Sequence, residues 1–194
     1  PDGPASFAVT VRDAAGNAVT TATNTIAMTV SAGGTVVGTA TAAAVAGVAT
    51  FGTVGISGAP ASYTLTFATA GLTSATQAIT LGVGAPTQLA LTTTAAGAAS
   101  GAAFTTQPVV AIRDVSGNTV ASATNVITMT VTAGATVIGT NTATAVAGVA
   151  TFAAVGLTGI AGDHVLTFSA GGLTSTGQPI TLAPGVATQL ALTT

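Results

Sequence analysis

Two tandem β-sandwich domains of about seven short strands each, all-β and without helices, are predicted by three observations. The chain repeats itself at a constant offset, 101 residues from Arg12 to Arg113, and the same offset carries Met28 to Met129, Phe51 to Phe152, Phe67 to Phe168 and Leu81 to Leu182 without a gap. A period of that size matches a domain rather than a solenoid coil of roughly 20 to 50 residues. Apolar residues then alternate with Thr and Ala over short runs, the period of a half-buried strand. Finally, Gly-containing turns interrupt these runs so regularly that no stretch is long and periodic enough for a helix.

The run Val9 to Asn17 and its copy Val110 to Asn118 anchor the register of the repeat and hold four of the six charged residues. Val110 and Ile112, like Val9 and Val11, fall on one face of a strand and Arg113 or Arg12 on the other. Asp three residues before Gly ends the strand in a type I turn with Gly left-handed, and Asn opens the return, so the motif is a hairpin. Ile26, Met28 and Val30 alternate with Ala27 and Thr29 in the next strand, which Gly33-Gly34 ends. Thr35–Gly38 and Thr39–Val45 read as a short irregular strand pair. Gly47–Phe51 opens a better strand, and Phe51 is out of phase with Val54 and Ile56, as Phe152 is with Val155 and Leu157, which predicts a bulge or bend. Gly58–Ala61 is a turn; Tyr63, Leu65 and Phe67 share a face; Gly71 marks another turn; Ile79 and Leu81 close the unit. The second copy follows the same plan. The expected domains are 1–84, lacking its own first strand, and 85–184. A short Gly82–Pro86 joint favours a rod over tumbling neighbours.

Composition limits the chemistry. The chain has 194 residues, 48% hydrophobic and only 3% charged, with no lysine and no glutamate, against roughly a quarter charged in ordinary soluble domains. A net charge of -2 supplies no basic footprint for nucleic acid or an anionic membrane surface. Ala40–Ile56 is apolar but shorter than the usual membrane span of about 20 residues and is broken by Ala46-Gly47, so it reads as two strands and not as a membrane insertion. The absence of cysteine removes disulfides and thiolate chemistry and leaves the redox compartment open. No signal peptide is visible at the start.

The run F-A-V-T-V-R-D-A-A-G-N-A-V, the G-V-A-T-F and Y-T-L-T-F strands and the T-Q-L-A-L-T-T start resemble bacterial immunoglobulin-like (Big-type) tandem repeats, the modules stacked in intimin- and invasin-like adhesins and other large surface or fibre proteins. The resemblance runs over essentially the whole chain, twice. It implies immunoglobulin-like sandwiches and an extracellular or cell-surface bacterial location. Its implied role is that of a structural fibre, stalk or surface-layer segment. The alternative is an adhesin segment whose loops bind a glycan or host protein, although Trp 0 and Tyr 1 offer few aromatic anchors.

Candidate site residues are few. Asp13 with Asn17, and Asp114 with Asn118, present oxygens that calcium uses in acidic loops. A good site takes six to eight oxygens and usually several carboxylates, whereas each loop has one, and Asp in a turn already has a local task in accepting backbone N–H bonds. His164 is the only histidine and takes the place of Tyr63 in the other copy. An aromatic body with a hydrogen-bonded polar tip at the sandwich edge suits both, and no second His, Cys or Glu is available to join His164 as a ligand; neighbouring Asp163 reads as a loop residue. No nucleophile–base pair, metal cluster or phosphate loop can be assembled, so neither an enzyme nor a cofactor is expected. The threonine runs Thr128–Thr132 and Thr140–Thr144 invite comparison with ice-binding ladders; outward-facing strand residues are the plainer reading, because the runs fall on different strands of a twisted sandwich. O-linked glycans on these threonines, or lateral neighbours, would explain a surface with so little charge.

One segment has no sandwich of its own. Thr87–Thr93 opens the second domain and recurs as Thr188, Gln189, Leu190, Ala191, Leu192, Thr193 and Thr194, so residues 185–194 read as the first strand of a following domain or as a donor strand for a neighbouring subunit. The expected partners are adjacent repeats or copies of the chain, arranged head to tail.

Overall fold

The computed structural model describes residues 5–190 and 192, and the chain divides into two compact units, Pro1–Gly84 and Ala85–Thr194. Both are all-β sandwiches built from antiparallel ladders, with no helix among the described residues. None is therefore long and apolar enough to cross a membrane.

Unit 1 contains β1 (Ala5–Thr10), β2 (Thr25–Val30), β3 (Gly34–Gly38), β4 (Thr41–Val45), β5 (Val48–Gly58), β6 (Ala61–Ala68) and β7 (Ala75–Leu81). One layer places β5 between β1 and β3; the other runs β4-β2-β6-β7, and β4 also pairs the start of β5, tying the layers together. Alternation decides what lies between them. Ile26 and Met28 from β2 and Leu65 and Phe67 from β6 meet Phe51 and Val54 from β5 and Val11 just beyond β1. The Phe51 and Phe67 rings pack 5.4 Å apart, a separation typical of tilted aromatic pairs.

Unit 2 contains β8 (Gln88–Thr93), β9 (Ala102–Ala103), β10 (Val109–Arg113), β11 (Val126–Val131), β12 (Ala135–Ile138), β13 (Thr142–Thr144), β14 (Val149–Thr151), β15 (Gly156–Gly159), β16 (Gly162–Ser169) and β17 (Thr176–Leu182). The sheet β13-β11-β16-β17 faces β14-β10-β8 and β12-β15-β9 across a core that holds Val110, Ile112, Ile127, Met129, Phe152, Leu166, Phe168 and Leu182. Val131 and Ile180, the counterparts of Val30 and Ile79 and on the expected inward faces, pack against that core half-buried. This unit has ten strands rather than about seven. The counterpart of β5 is split into β14 and β15, and β8 and β9 have no counterpart among the described residues of unit 1.

The phase slip has a structural cause. In unit 1 the β1–β5 ladder skips a residue between Phe7 opposite Phe51 and Ala5 opposite Val54, so two core side chains three residues apart both point inward. In unit 2 the strand breaks there outright, with Ala154 at φ 53°. The expected pairing of β3 with β4 does not form. β3 joins β5 in one layer while β4 joins β2 in the other, and the crossing is made at Gly38, φ 91°, where a Cβ would collide with the Thr53 carbonyl. That crossing also sets where the threonine runs lie: on different strands, β11 and β13, but of one sheet. Because β12 leaves for the opposite layer, β13 returns beside β11, and Thr128 stands opposite Thr142 in a single sheet.

Candidate functional site

The two hairpin loops use their acidic side chains internally. Asp13 Oδ1 accepts the N–H groups of Ala15 at 3.0 Å and Asn17 at 2.8 Å, and Oδ2 accepts the Asn17 side-chain amide at 3.0 Å. Asp114 repeats the arrangement with Ser116 at 2.9 Å, the Asn118 amide N–H at 2.8 Å and its side chain at 3.0 Å. Gly16 and Gly117, at φ 87° and 86°, make the turn that brings these donors round. The Asn17 side chain, followed by its backbone N–H, holds the Asp13 carboxyl below its ordinary value. Both oxygens of each carboxylate thus already serve the loop, and among the described residues no three His, Cys, Asp or Glu side chains gather as a metal set.

Tyr63 and His164 occupy matching places with matching bonds. The Tyr63 hydroxyl donates to the Ala59 carbonyl at 2.8 Å, and His164 Nε2 lies 2.9 Å from the Ile160 carbonyl, four residues back in each case. His164 Nδ1 also meets Thr132 Oγ1 at 3.4 Å, so both ring nitrogens face protein partners. Neighbouring Asp163 accepts the Thr181 hydroxyl at 2.7 Å.

A larger difference between the units lies beside β1. In unit 2 the equivalent strand, β10, is covered on its outer edge by β8, with Leu91 opposite Val110, Leu89 opposite Ile112 and Gln88 opposite Arg113. The start of β8 is gripped from a second direction: Leu89 N–H donates to the Thr174 carbonyl at 2.9 Å and Thr174 N–H to the Thr87 carbonyl at 2.9 Å. Gln88 Nε2 completes the clamp by donating to the Asp114 carbonyl at 2.8 Å. Leu89 is buried in the core and Leu91 packs against it.

In unit 1 the same place is a groove of about 450 Å³, lined by Val9, Val11, Ile26, Phe67, Leu72 and Thr73 among others. These are the counterparts of Val110, Ile112, Ile127, Phe168, Leu173 and Thr174. No strand covers this edge of β1 among the described residues. Leu72 is 43% exposed and Asp13 is exposed, whereas Leu173 is half-buried and Asp114 is buried.

The segment that repeats β8 is described only in part. Thr188, Gln189 and Leu190 form no strand, Leu190 and Leu192 are 102% and 94% exposed, and Ala191, Thr193 and Thr194 lie outside the described residues. Sequence reasoning found this segment but missed the groove, and it missed Gln178, whose side-chain amide bonds the Ala95 N–H at 2.8 Å and carbonyl at 2.6 Å. Gln107, which bridges the strand break through Val155, was also missed. A glutamine inside an otherwise Ala, Gly and Thr stretch was the one signal available for either.

No family model matches the chain, and no curated protein matches it. Among solved structures, a β-glucuronidase of Parabacteroides merdae matches at 13% identity and a TM-score of 0.38, over 82% of this chain and 21% of that one. A β-glycosidase from Bacteroides vulgatus matches at 14% and 0.41, over 93% and 25%. The adhesin InvE of Yersinia pseudotuberculosis matches at 22% and 0.38, over 93% and 55%. The chain therefore spans a quarter or less of these glycosidases and just over half of the adhesin.

Proposed function

We propose that the chain is a non-catalytic structural segment of a bacterial extracellular fibre, stalk or surface layer, built from stacked immunoglobulin-like repeats. The observation that carries this reading is the repeat itself: one sandwich plan is built twice, each time around its own core, while the Asp13 and Asp114 carboxylates are engaged in their own turns. A chain with 3% charge leaves little for catalysis or ionic recognition and much for contact with neighbouring copies or sugar. Strand addition between subunits is the joint that would extend such a segment into a filament.

The test is to raise antibodies against the purified chain and label the cells that make it, with electron microscopy of the labelled material. Gold on filaments or on an ordered outer layer is the expected result. Label confined to the cell interior would overturn the reading.

A further inference from the structure

We infer that the outward face of the sheet β13-β11-β16-β17 is a lateral docking surface for the same face of a second copy of this chain. The inference deepens the fibre reading and rests on it for its biological setting; the contact itself is argued from unit 2 alone. Alternation turns Ile127, Met129, Leu166 and Phe168 into the core and their neighbours outward. On the outward side the ladders set Thr128 opposite Thr142 and Thr130 opposite Thr167. Val126 and Val165 share that side, 53% and 42% exposed. Of Lys, Arg, Asp and Glu, the four strands contain Asp163 alone, near one end of β16. Three hydroxyls on or beside the face are already engaged within the sheet. Thr130 Oγ1 donates to the Thr167 carbonyl at 3.4 Å, Thr132 Oγ1 accepts the Val165 N–H at 3.1 Å, and Thr181 Oγ1 donates to Asp163 at 2.7 Å. Covering the face orphans none of these three, which removes the usual cost of drawing a hydroxyl from water.

Charge selects the occupant. An ordinary soluble protein, about a quarter of whose residues are charged, would bury charges against a face that offers none in return. A second copy brings a face as bare of charge as the first, and two such sheets can stack face to face about 10 Å apart. Unit 1 builds the corresponding sheet, β4-β2-β6-β7, from strands with no Lys, Arg, Asp or Glu at all, so each copy of the chain offers a surface of this kind twice. Area sets the strength. Four strands of this length make a face about 20 Å on a side, or about 400 Å², roughly half of what each partner of a stable pair buries. A single pair of faces is therefore transient, and repetition along stacked units is what would make the contact hold.

The test is sedimentation equilibrium of the intact chain, made without sugar, over a concentration series, with amide chemical shifts followed over the same range. Weak self-association is expected, with the concentration-dependent shifts gathered on β11, β13, β16 and β17. Val165→Asp, which sets a charge on the exposed face, should weaken association at least tenfold. Thr136→Asp, also at an exposed position but on β12 in the opposite layer, should leave it unchanged. The wild-type shifts need no variant to fold, so they stand even if a substitution disturbs unit 2. A chain that stays monomeric at every concentration overturns the proposal, as do shifts gathered on β12 and β15, or equal weakening by the two variants. Sugar found by mass spectrometry on Thr130 or Thr142 of material from the native cells gives the face another occupant and overturns it too. Antibody-labelled filaments that persist alongside any of those results would leave the fibre reading standing and remove only this contact; label confined to the cell interior would remove that reading and leave a contact measured in solution in place.

Discussion

Phe152 is 1% exposed, its ring 5.5 Å from that of Phe168, at the point where its strand breaks and Val155 turns inward after it. Removing the ring leaves a cavity that a bent, Ala-rich segment is poorly placed to collapse into, so Phe152→Ala should cost about 3 to 5 kcal/mol in denaturant unfolding of unit 2. A cost under about 1 kcal/mol would contradict the burial. At Asp13 the relevant variable is pH. Its folded carboxyl is held below the ordinary 3.8, first by the Asn17 side chain. The loop's contribution is therefore fully present above that ordinary value and is lost as pH falls through the lowered one. Asp13→Asn should remove the low-pH decline that belongs to this group. Thermal midpoints of wild type and variant compared between pH 2 and 6 should diverge at the upper end and converge at the lower. A difference that stays constant across the range would show that the carboxylate does not act through its charge.

At the scale of single elements, β8 is what separates the two units, and hydrogen exchange can read the difference. The Thr174 amide donates to the Thr87 carbonyl, whereas no strand lies beside Thr73 among the described residues. In dilute protein, Thr174 should exchange much more slowly than Thr73, and Leu89→Ala should bring the two closer by loosening β8; equal rates in the wild type would mean that β8 is not held as described. The strands themselves were largely legible in the sequence. Ile26, Met28, Leu65 and Phe67 announce their faces by alternation, and Asp13 and Gly16 announce the hairpin by turn chemistry. The slip from Phe51 to Val54 was legible too, because two large apolar side chains at odd spacing fall on opposite faces of a regular strand and can both be buried only across a bulge or bend. What stayed hidden depended on tertiary routing. Nothing local says that β3 and β4 part at Gly38 for opposite layers, and Thr94–Ala103 is too uniform in Ala, Gly, Ser and Thr to reveal that Ala95 meets Gln178. The tail strand could be read because it repeats a sequence. The groove beside β1 could not, because a groove belongs to several strands at once.

Across the whole molecule, each unit has its own core, and among the described residues the core of unit 2 is the larger. Unit 2 closes over Leu89, Ala95, Ala98 and Phe104, all buried and all from the stretch that precedes β10, and it buries Leu182 where the counterpart Leu81 is only half-buried. At about 25 cal/mol for each Å² of apolar surface withdrawn from water, those added contacts favour unit 2 by several kcal/mol. Calorimetry of the intact chain should therefore resolve two transitions, the lower from unit 1. Phe51→Ala should move only the lower and Phe152→Ala only the upper, since about 1 kcal/mol shifts a domain of this size by about 4 to 8 °C. A single transition displaced by both substitutions would mean that the units unfold together. Salt sharpens the assignment. With two arginines and four aspartates in the sequence, sodium chloride has few charges to screen, so neither midpoint should move much with it. Sulfate strengthens apolar burial and should raise both midpoints.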